Sequence, residues 1–123
     1  MGACRTVSIV DDDEAVRLAV ASLVRSMGWQ AQLFASAEEF LASTRLGETT
    51  CLISDERMSG MTGLAMHDRL VKLGYTTPMI FITAFPTAEL CAKVGAEGVL
   101  AVIEKPFDAQ AIEYWLNVAQ SLP

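Results

Sequence analysis

The chain reads as an α/β protein, a five-stranded parallel sheet doubly wound by helices in (βα)5 order. Three observations carry that expectation. Short β-rich runs alternate with helix-length segments five times over, the pattern of a sheet whose crossovers cover its faces. The run Met79–Thr83 (MIFIT) is apolar at almost every position, as burial on both faces of a sheet requires. The 123 residues, 52% hydrophobic and 20% charged, suffice for one domain with a real core and are too apolar for disorder. No internal linker, repeat or low-complexity segment divides residues 1–123.

Thr6–Val10 (TVSIV) is a β-rich run that stops abruptly at Asp11, Asp12, Asp13 and Glu14. Val16, Val20, Leu23, Val24 and Met27 then recur at helical spacing until Gly28 ends the helix. Gln30–Phe34 is a shorter, more polar strand, and Ser36 to Glu39 has the pattern of a capping box ahead of Phe40 and Leu41. Thr50–Ser54 is the third strand, and a helical pattern runs from Leu64 to Leu73 before Gly74. Pro78 precedes the fourth strand, Met79–Thr83. Ala88–Val94 is expected to be helical, with Leu90, Cys91 and Val94 on its inner face. Val99–Ile103 is the fifth strand. Asp108 is placed to cap the last helix, with Phe107 and Ile112 as a hydrophobic staple and Ile112, Leu116 and Ala119 as the packing stripe.

Nine Lys and Arg against fifteen Asp and Glu leave a net charge of −6. The basic residues form no run or stripe, which argues against this domain binding nucleic acid through its phosphates. Cys4, Cys51 and Cys91 are odd in number and widely spaced, so structural free thiols are expected. No apolar run approaches the roughly 20 residues needed to span a bilayer, and the N-terminus lacks a signal-peptide pattern. A reducing cytoplasm is the expected compartment. His67, inside the third helix, is expected at the surface or half-buried, and Met58, Met61 and Met66 are read as loop and core packing. Trp29 and Trp115 are expected to cover hydrophobic surface.

Right-handed crossovers place every strand's C-terminal end at one sheet edge. Asp11 and Asp12 end the first strand, Asp55 the third and Thr83 the fourth, and Lys105 follows the fifth. With strand order 2-1-3-4-5, the acidic pair faces Asp55, at the edge where doubly wound folds bind ligands. Clustered carboxylates repel one another, and a hard divalent cation such as Mg2+ resolves that conflict. Lys105 supplies a point charge and Thr83 a hydroxyl donor, both suited to phosphoryl oxygens. Asp55 is then placed as a nucleophile that holds the group as an acyl phosphate. The acidic pair could be registered as Asp11 and Asp12 or as Asp12 and Asp13. Because Val10 ends the strand, the first register is favoured, with Asp13 and Glu14 starting the helix.

On these residues the chain resembles a receiver domain of two-component response regulators, over essentially its whole length. IVDDDEAVR (residues 9–17) matches the family's acidic pair, and LISDERM (residues 52–58) its phospho-accepting aspartate. FITAF (residues 81–85) matches its hydroxyl residue followed by a small one, and IEKPF (residues 103–107) its Lys-Pro pair. The resemblance implies the flavodoxin-like receiver fold. It implies Mg2+ held directly by Asp12 and Asp55 and by the backbone carbonyl of Arg57, with Asp11 acting largely through water. It further implies phosphoryl transfer to Asp55 from the phosphohistidine of a histidine kinase or phosphotransfer protein. Thr83 and Lys105 would contact the phosphoryl oxygens, Ala84 would leave them room, and Lys105-Pro106 would be cis. The local forms DERM, TAFP and IEKPF are most similar to the branch containing nitrogen-fixation regulators, many of which carry a helix-turn-helix DNA-binding output domain. No output domain is expected within these residues. A homodimer through the face of the fourth helix, fifth strand and fifth helix is a further expectation, with Trp115 as one contact.

Two positions depart from the family's pattern. Ser59 stands where proline often follows the methionine of the acceptor loop, and Val102 stands where Tyr or Phe usually couples to the threonine. A valine has no ring to swing, so that relay is not carried over. Two other functions compete. A haloacid-dehalogenase-like phosphatase would use Asp11 as nucleophile and Asp13 as acid/base, but the chain is short for one. A degenerate receiver would act only as a protein-interaction module, yet all the expected pocket groups are present. A flavodoxin-like carrier is disfavoured, because four acidic side chains after the first strand would repel a cofactor phosphate.

Overall fold

Five β-rich runs form the strands of one sheet in a computed structural model that describes residues 5–122. They are β1 (Thr6–Val10), β2 (Gln30–Phe34), β3 (Cys51–Ser54), β4 (Met79–Thr83) and β5 (Val99–Glu104). The helices between and after them are α1 (Glu14–Ser26), α2 (Ala37–Leu41), α3 (Gly63–Lys72), α4 (Ala88–Cys91) and α5 (Ala109–Ser121), with a short 3-10 turn at Leu46–Glu48. All neighbouring strands run parallel, in the order β2-β1-β3-β4-β5. The doubly wound (βα)5 architecture of the flavodoxin-like receiver fold is therefore present.

Strand periodicity divides the core in two. Ile9, Ile53, Ile80 and Ile82 point to one face, where they pack with Val20 and Val24 of α1 and Ile112 and Leu116 of α5. Val10, Leu52 and Phe81 point to the other, against Phe40 of α2, Met66 and Leu70 of α3, and Leu90 of α4. β1, β3 and β4 are closed to solvent along their whole length, as strands covered on both faces must be; the polar residues they carry, Thr6, Ser8, Ser54 and Thr83, are buried with them.

Caps account for most of the helix starts. Asp13 accepts from the N–H groups of Ala15 and Val16, Thr62 from Ala65 and Asp108 from Gln110. Ser36 accepts from Glu39 N–H, while the Glu39 carboxylate reaches back to Ala35 N–H, one residue earlier than in a standard capping box. Phe107 packs on the α1–α5 side of the sheet, where Ile112 is buried, as the staple predicts.

Three expectations need correction. The fourth helix ends at Cys91 rather than Val94. Beyond it the chain turns through Gly95, Glu97 and Gly98, all at positive φ, so helical spacing no longer governs that stretch. Of the three residues expected inside, only Leu90 is buried, and Cys91 and Val94 are exposed. His67, expected at the surface or half-buried, is buried, because the turn before β5 reaches it and places Glu97 O 3.0 Å from its Nε2. Cys51 is a buried free thiol, as expected, whereas Cys91 is a free thiol in solvent; Cys4 lies outside the described residues.

Candidate phosphoacceptor and metal site

The sheet's C-terminal edge gathers the acidic residues. β1 delivers Asp11 and Asp12 and β3 delivers Asp55, and one carboxylate oxygen of each lies within 4.8 Å of the others. Asp11 and Asp55 are buried and Asp12 is exposed, so the cluster opens to solvent on the Asp12 side. Asp13 is absent from it: its carboxylate caps α1, so the residues of the acidic run that cluster with Asp55 are Asp11 and Asp12.

Lys105 enters from the far end of β5. Its ammonium lies 2.8 Å from Asp55 Oδ2 and 3.1 Å from Asp11 Oδ2, bridging the two strand ends. Its backbone N–H donates to Thr83 O at 2.8 Å, and the Lys105-Pro106 bond is cis. Thr83 is closed to solvent, and its Oγ1 accepts from Phe85 N–H at 3.3 Å.

Backbone amides orient the carboxylates. Asp13 N–H donates to Asp11 Oδ1, Arg57 N–H to Asp55 Oδ1 and Ser59 N–H to Asp12 Oδ2. The main chain at Asp55 is fixed in turn, since its N–H donates to Val10 O and Ser54 Oγ donates to its carbonyl. Gly63, at the start of α3, stands so close that a Cβ there would meet Asp55 O at 2.5 Å and the Phe81 ring at 2.8 Å. Only glycine fits without displacing the acceptor's own backbone.

Three carboxylates cluster beside one ammonium, which contacts two of them. Burial pushes the Asp11 carboxyl above its ordinary range; the Asp13 amide and Lys105 pull the other way without cancelling it, and the charge on Asp55 adds to the rise. Burial alone would lower the Lys105 ammonium, but its hydrogen bonds to Asp55 and Asp11 outweigh that and hold it above its usual value. The two shifts agree once burial is weighed, because the Asp11 side chain is the more enclosed of the pair, 4% exposed against 18%. Oxygen-only donors with surplus negative charge match the chemistry of a hard divalent cation. The donor set therefore fits Mg2+.

The residues expected at the site thus meet there: Asp11, Asp12, Asp55 and Lys105 in direct contact or proximity, with Thr83 joined through the Lys105 backbone. Arg57 sits in the same loop, its amide on Asp55 and its guanidinium 4.9 Å from the centre of the Phe85 ring. Sequence reasoning missed three supporting contacts. Arg17 Nη1 donates to Asp11 O at 2.6 Å. Glu56 turns its carboxylate to Leu64 N–H at the start of α3, and burial, then the nearby charges of Glu89 and Asp55, raise its pKa despite that bond. Ser59 supplies the amide that meets Asp12. Only the last left a signal, a non-proline residue where an N–H becomes available.

The comparisons with known proteins agree with this geometry. The family model for the response regulator receiver domain matches residues 7–117. The response regulator protein TmoT of Ectopseudomonas mendocina is 40% identical over 101 residues, covering 82% of this chain and 46% of that protein. Nodulation protein W of Bradyrhizobium diazoefficiens is 34% identical over 106 residues, covering 86% and 47%. The chain spans about half the length of these curated relatives. Among solved structures, response regulator StyR superposes with a TM-score of 0.87 at 32% identity, covering 95% of this chain and 59% of that one. Relatives bearing different regulator names match to similar extents, so the comparisons reach the family and no single branch of it. Matched along nearly its whole length and carrying the acidic edge just described, the chain belongs to the response regulator receiver domain family.

Proposed function

We propose that Asp55 accepts a phosphoryl group from the phosphohistidine of a histidine kinase or phosphotransfer protein, in a Mg2+-dependent reaction. The observation that carries this proposal is the Lys105 bridge: a half-buried ammonium 2.8 Å from the Asp55 carboxylate, beside two further carboxylates within reach of one cation. Asp11, Asp12, Asp55 and the carbonyl of Arg57 would hold the ion. When bound, the cation offsets repulsion between incoming phosphoryl oxygens and the three carboxylates.

In the transfer, an Asp55 carboxylate oxygen forms a bond to phosphorus as the phosphorus–nitrogen bond of the donor breaks. The imidazole leaves with the electron pair, and Asp55 holds an acyl phosphate. Lys105 is already at the acceptor and needs only a small displacement to place donors on the phosphoryl oxygens. The Thr83 hydroxyl has one proton to give and lone pairs to spare, so it can donate to a phosphoryl oxygen while still accepting from Phe85 N–H. Hydrolysis of the acyl phosphate returns the site to its starting state. A receiver is in this sense a signalling module that takes part in its own phosphorylation and dephosphorylation, rather than a turnover enzyme.

The output proposed for this module is a downstream domain or a partner protein. A domain elsewhere in a longer protein, DNA-binding in kind, would fit a chain that spans about half of its relatives, one of which is named a transcriptional regulatory protein. The motifs DERM, TAFP and IEKPF support placing the chain near the nitrogen-fixation regulators. Val102 is half-buried against the α3 side of the core, so transmission would pass through Thr83 and the loop after it to the face of α4, β5 and α5, where a homodimer is proposed. The phosphatase reading needs Asp13 as a free acid/base, and that carboxylate caps α1.

Binding of beryllofluoride in the presence of Mg2+ tests the proposal. Wild type is expected to bind it with chemical-shift changes at Asp55, Thr83 and Lys105, and Asp55→Asn is expected not to. Equal binding by Asp55→Asn would overturn the assignment.

A further inference from the structure

We infer that Glu56 is a positioning residue of the site, its carboxylate holding the loop that carries the Arg57 carbonyl against the start of α3. Glu56 follows the acceptor directly, and two hydrogen bonds from it close the loop of residues 57–62. Its carbonyl accepts from Gly63 N–H at 3.0 Å, and its Oε1 accepts from Leu64 N–H at 2.6 Å. A helix leaves its first N–H groups without partners inside it. In α3 the cap residue Thr62 takes Ala65 N–H, and Glu56 takes the two before it. The carboxylate bond sets negative charge at a helix N-terminus, the sign that end favours, and a charged acceptor strengthens it. It is also part-buried, so water competes for it less than at the surface.

The joint between acceptor and helix is close on every side. Gly63 abuts it, since a Cβ there would lie 2.5 Å from Asp55 O and 3.2 Å from Glu56 Cα. Inside the loop, Arg57 N–H donates to Asp55 Oδ1 and Met58 is buried in the α3-side core. The Arg57 peptide therefore hangs between the acceptor and a core anchor, and Glu56 sets the angle at which the loop leaves β3. The Gly63 bond is made by backbone and survives any side chain at position 56. The Leu64 bond is this chain's own addition: an apolar residue there would leave that N–H to water and loosen one of the two ties. What Glu56 contributes is thus precision in placing the loop, not the loop's existence. A ligand group held in place beforehand binds a cation more tightly than one the ion must order.

The inference rests on the Mg2+ site proposed above, and one titration separates the two. Mg2+ is titrated calorimetrically into wild type, Glu56→Gln and Glu56→Ala, with urea unfolding of each. Glu56→Ala is expected to bind Mg2+ roughly fivefold more weakly, less than the loss of a group touching a ligand directly, because Glu56 acts one bond further out. Glu56→Gln keeps an acceptor oxygen without the charge and is expected to stay within about twofold of wild type. Equal affinities for wild type and Glu56→Ala, even with a lower urea midpoint, would overturn the inference and leave the metal site standing. So would an equal loss in both variants, which would assign the effect to charge. Wild type that fails to bind Mg2+ at all would remove the site and the inference together. If Glu56→Ala does not fold, Glu56→Asp decides. It keeps the charge and draws the carboxylate back from Leu64 N–H by one methylene, so weaker binding is expected, and affinity equal to wild type overturns the inference.

Discussion

Asp11 is 2% exposed, and its surroundings make its charge costlier than it is in water. Burial raises its pKa above 3.8 in the folded chain, even with Lys105 beside it. The folded state therefore binds the proton more tightly than the unfolded state does. Stability falls as pH rises from about 3.8 through the folded value, and above that value the penalty is fully present. Asp11→Asn removes the charge and keeps the shape, so the metal-free variant is expected to unfold at a higher urea concentration than wild type at pH 7. The same variant should gain less from added Mg2+. A lower midpoint without metal would show that the charge is compensated by Lys105. The cysteines give a second test at this scale. Burial pushes the Cys51 thiol up to about 12, while Cys91 is exposed. Iodoacetamide is expected to modify Cys91 in the native protein and Cys51 only after unfolding, and mass mapping of the labelled peptides reads the result.

At the scale of elements, one turn of sequence does two jobs. Asp11 and Asp12 serve the strand end, and Asp13 caps the helix that follows. Asp13→Ala is expected to cost about 1 kcal/mol of stability while leaving Mg2+ affinity within about twofold of wild type, because its carboxylate lies outside the cluster. A large loss of affinity would reassign the register of the pair. The strands were legible in the sequence because burial on both faces favours short runs rich in β-branched and apolar residues, most plainly MIFIT in β4, and β1, β3 and β4 are buried throughout. Helices with a cap and a stop residue, such as α1 between Asp13 and Gly28, were legible too. The fourth helix was not. Leu90, Cys91 and Val94 have helical spacing, yet the glycines at 95 and 98 take left-handed backbone and turn the chain away. Spacing shows which residues would share a face if the helix continued, but not where it stops.

For the molecule as a whole, the site was readable because the fold converts distant positions into neighbours. Asp11 and Lys105 are 94 residues apart in sequence and hydrogen-bonded in space, a consequence of parallel strands delivering all their C-terminal ends to one edge. What sequence could not supply was the orienting shell. The amides of Asp13, Arg57 and Ser59 act through the backbone, and residue identity is nearly silent about backbone groups. The burial of His67 also depends on a distant turn, with Glu97 O as its partner. The net charge of −6 is the opposite of the basic footprint that binding nucleic acid by its phosphates needs, and no helix among the described residues is long and apolar enough to cross a membrane. The central claim is that this one edge makes Asp55 the phosphoryl acceptor. Mass spectrometry after incubation with acetyl phosphate and Mg2+ tests it most directly. A single phosphoryl group on the peptide carrying Asp55, labile to hydroxylamine and lost when Mg2+ is chelated beforehand, is the expected result; modification that persists in Asp55→Asn, or that maps to another residue, would contradict it.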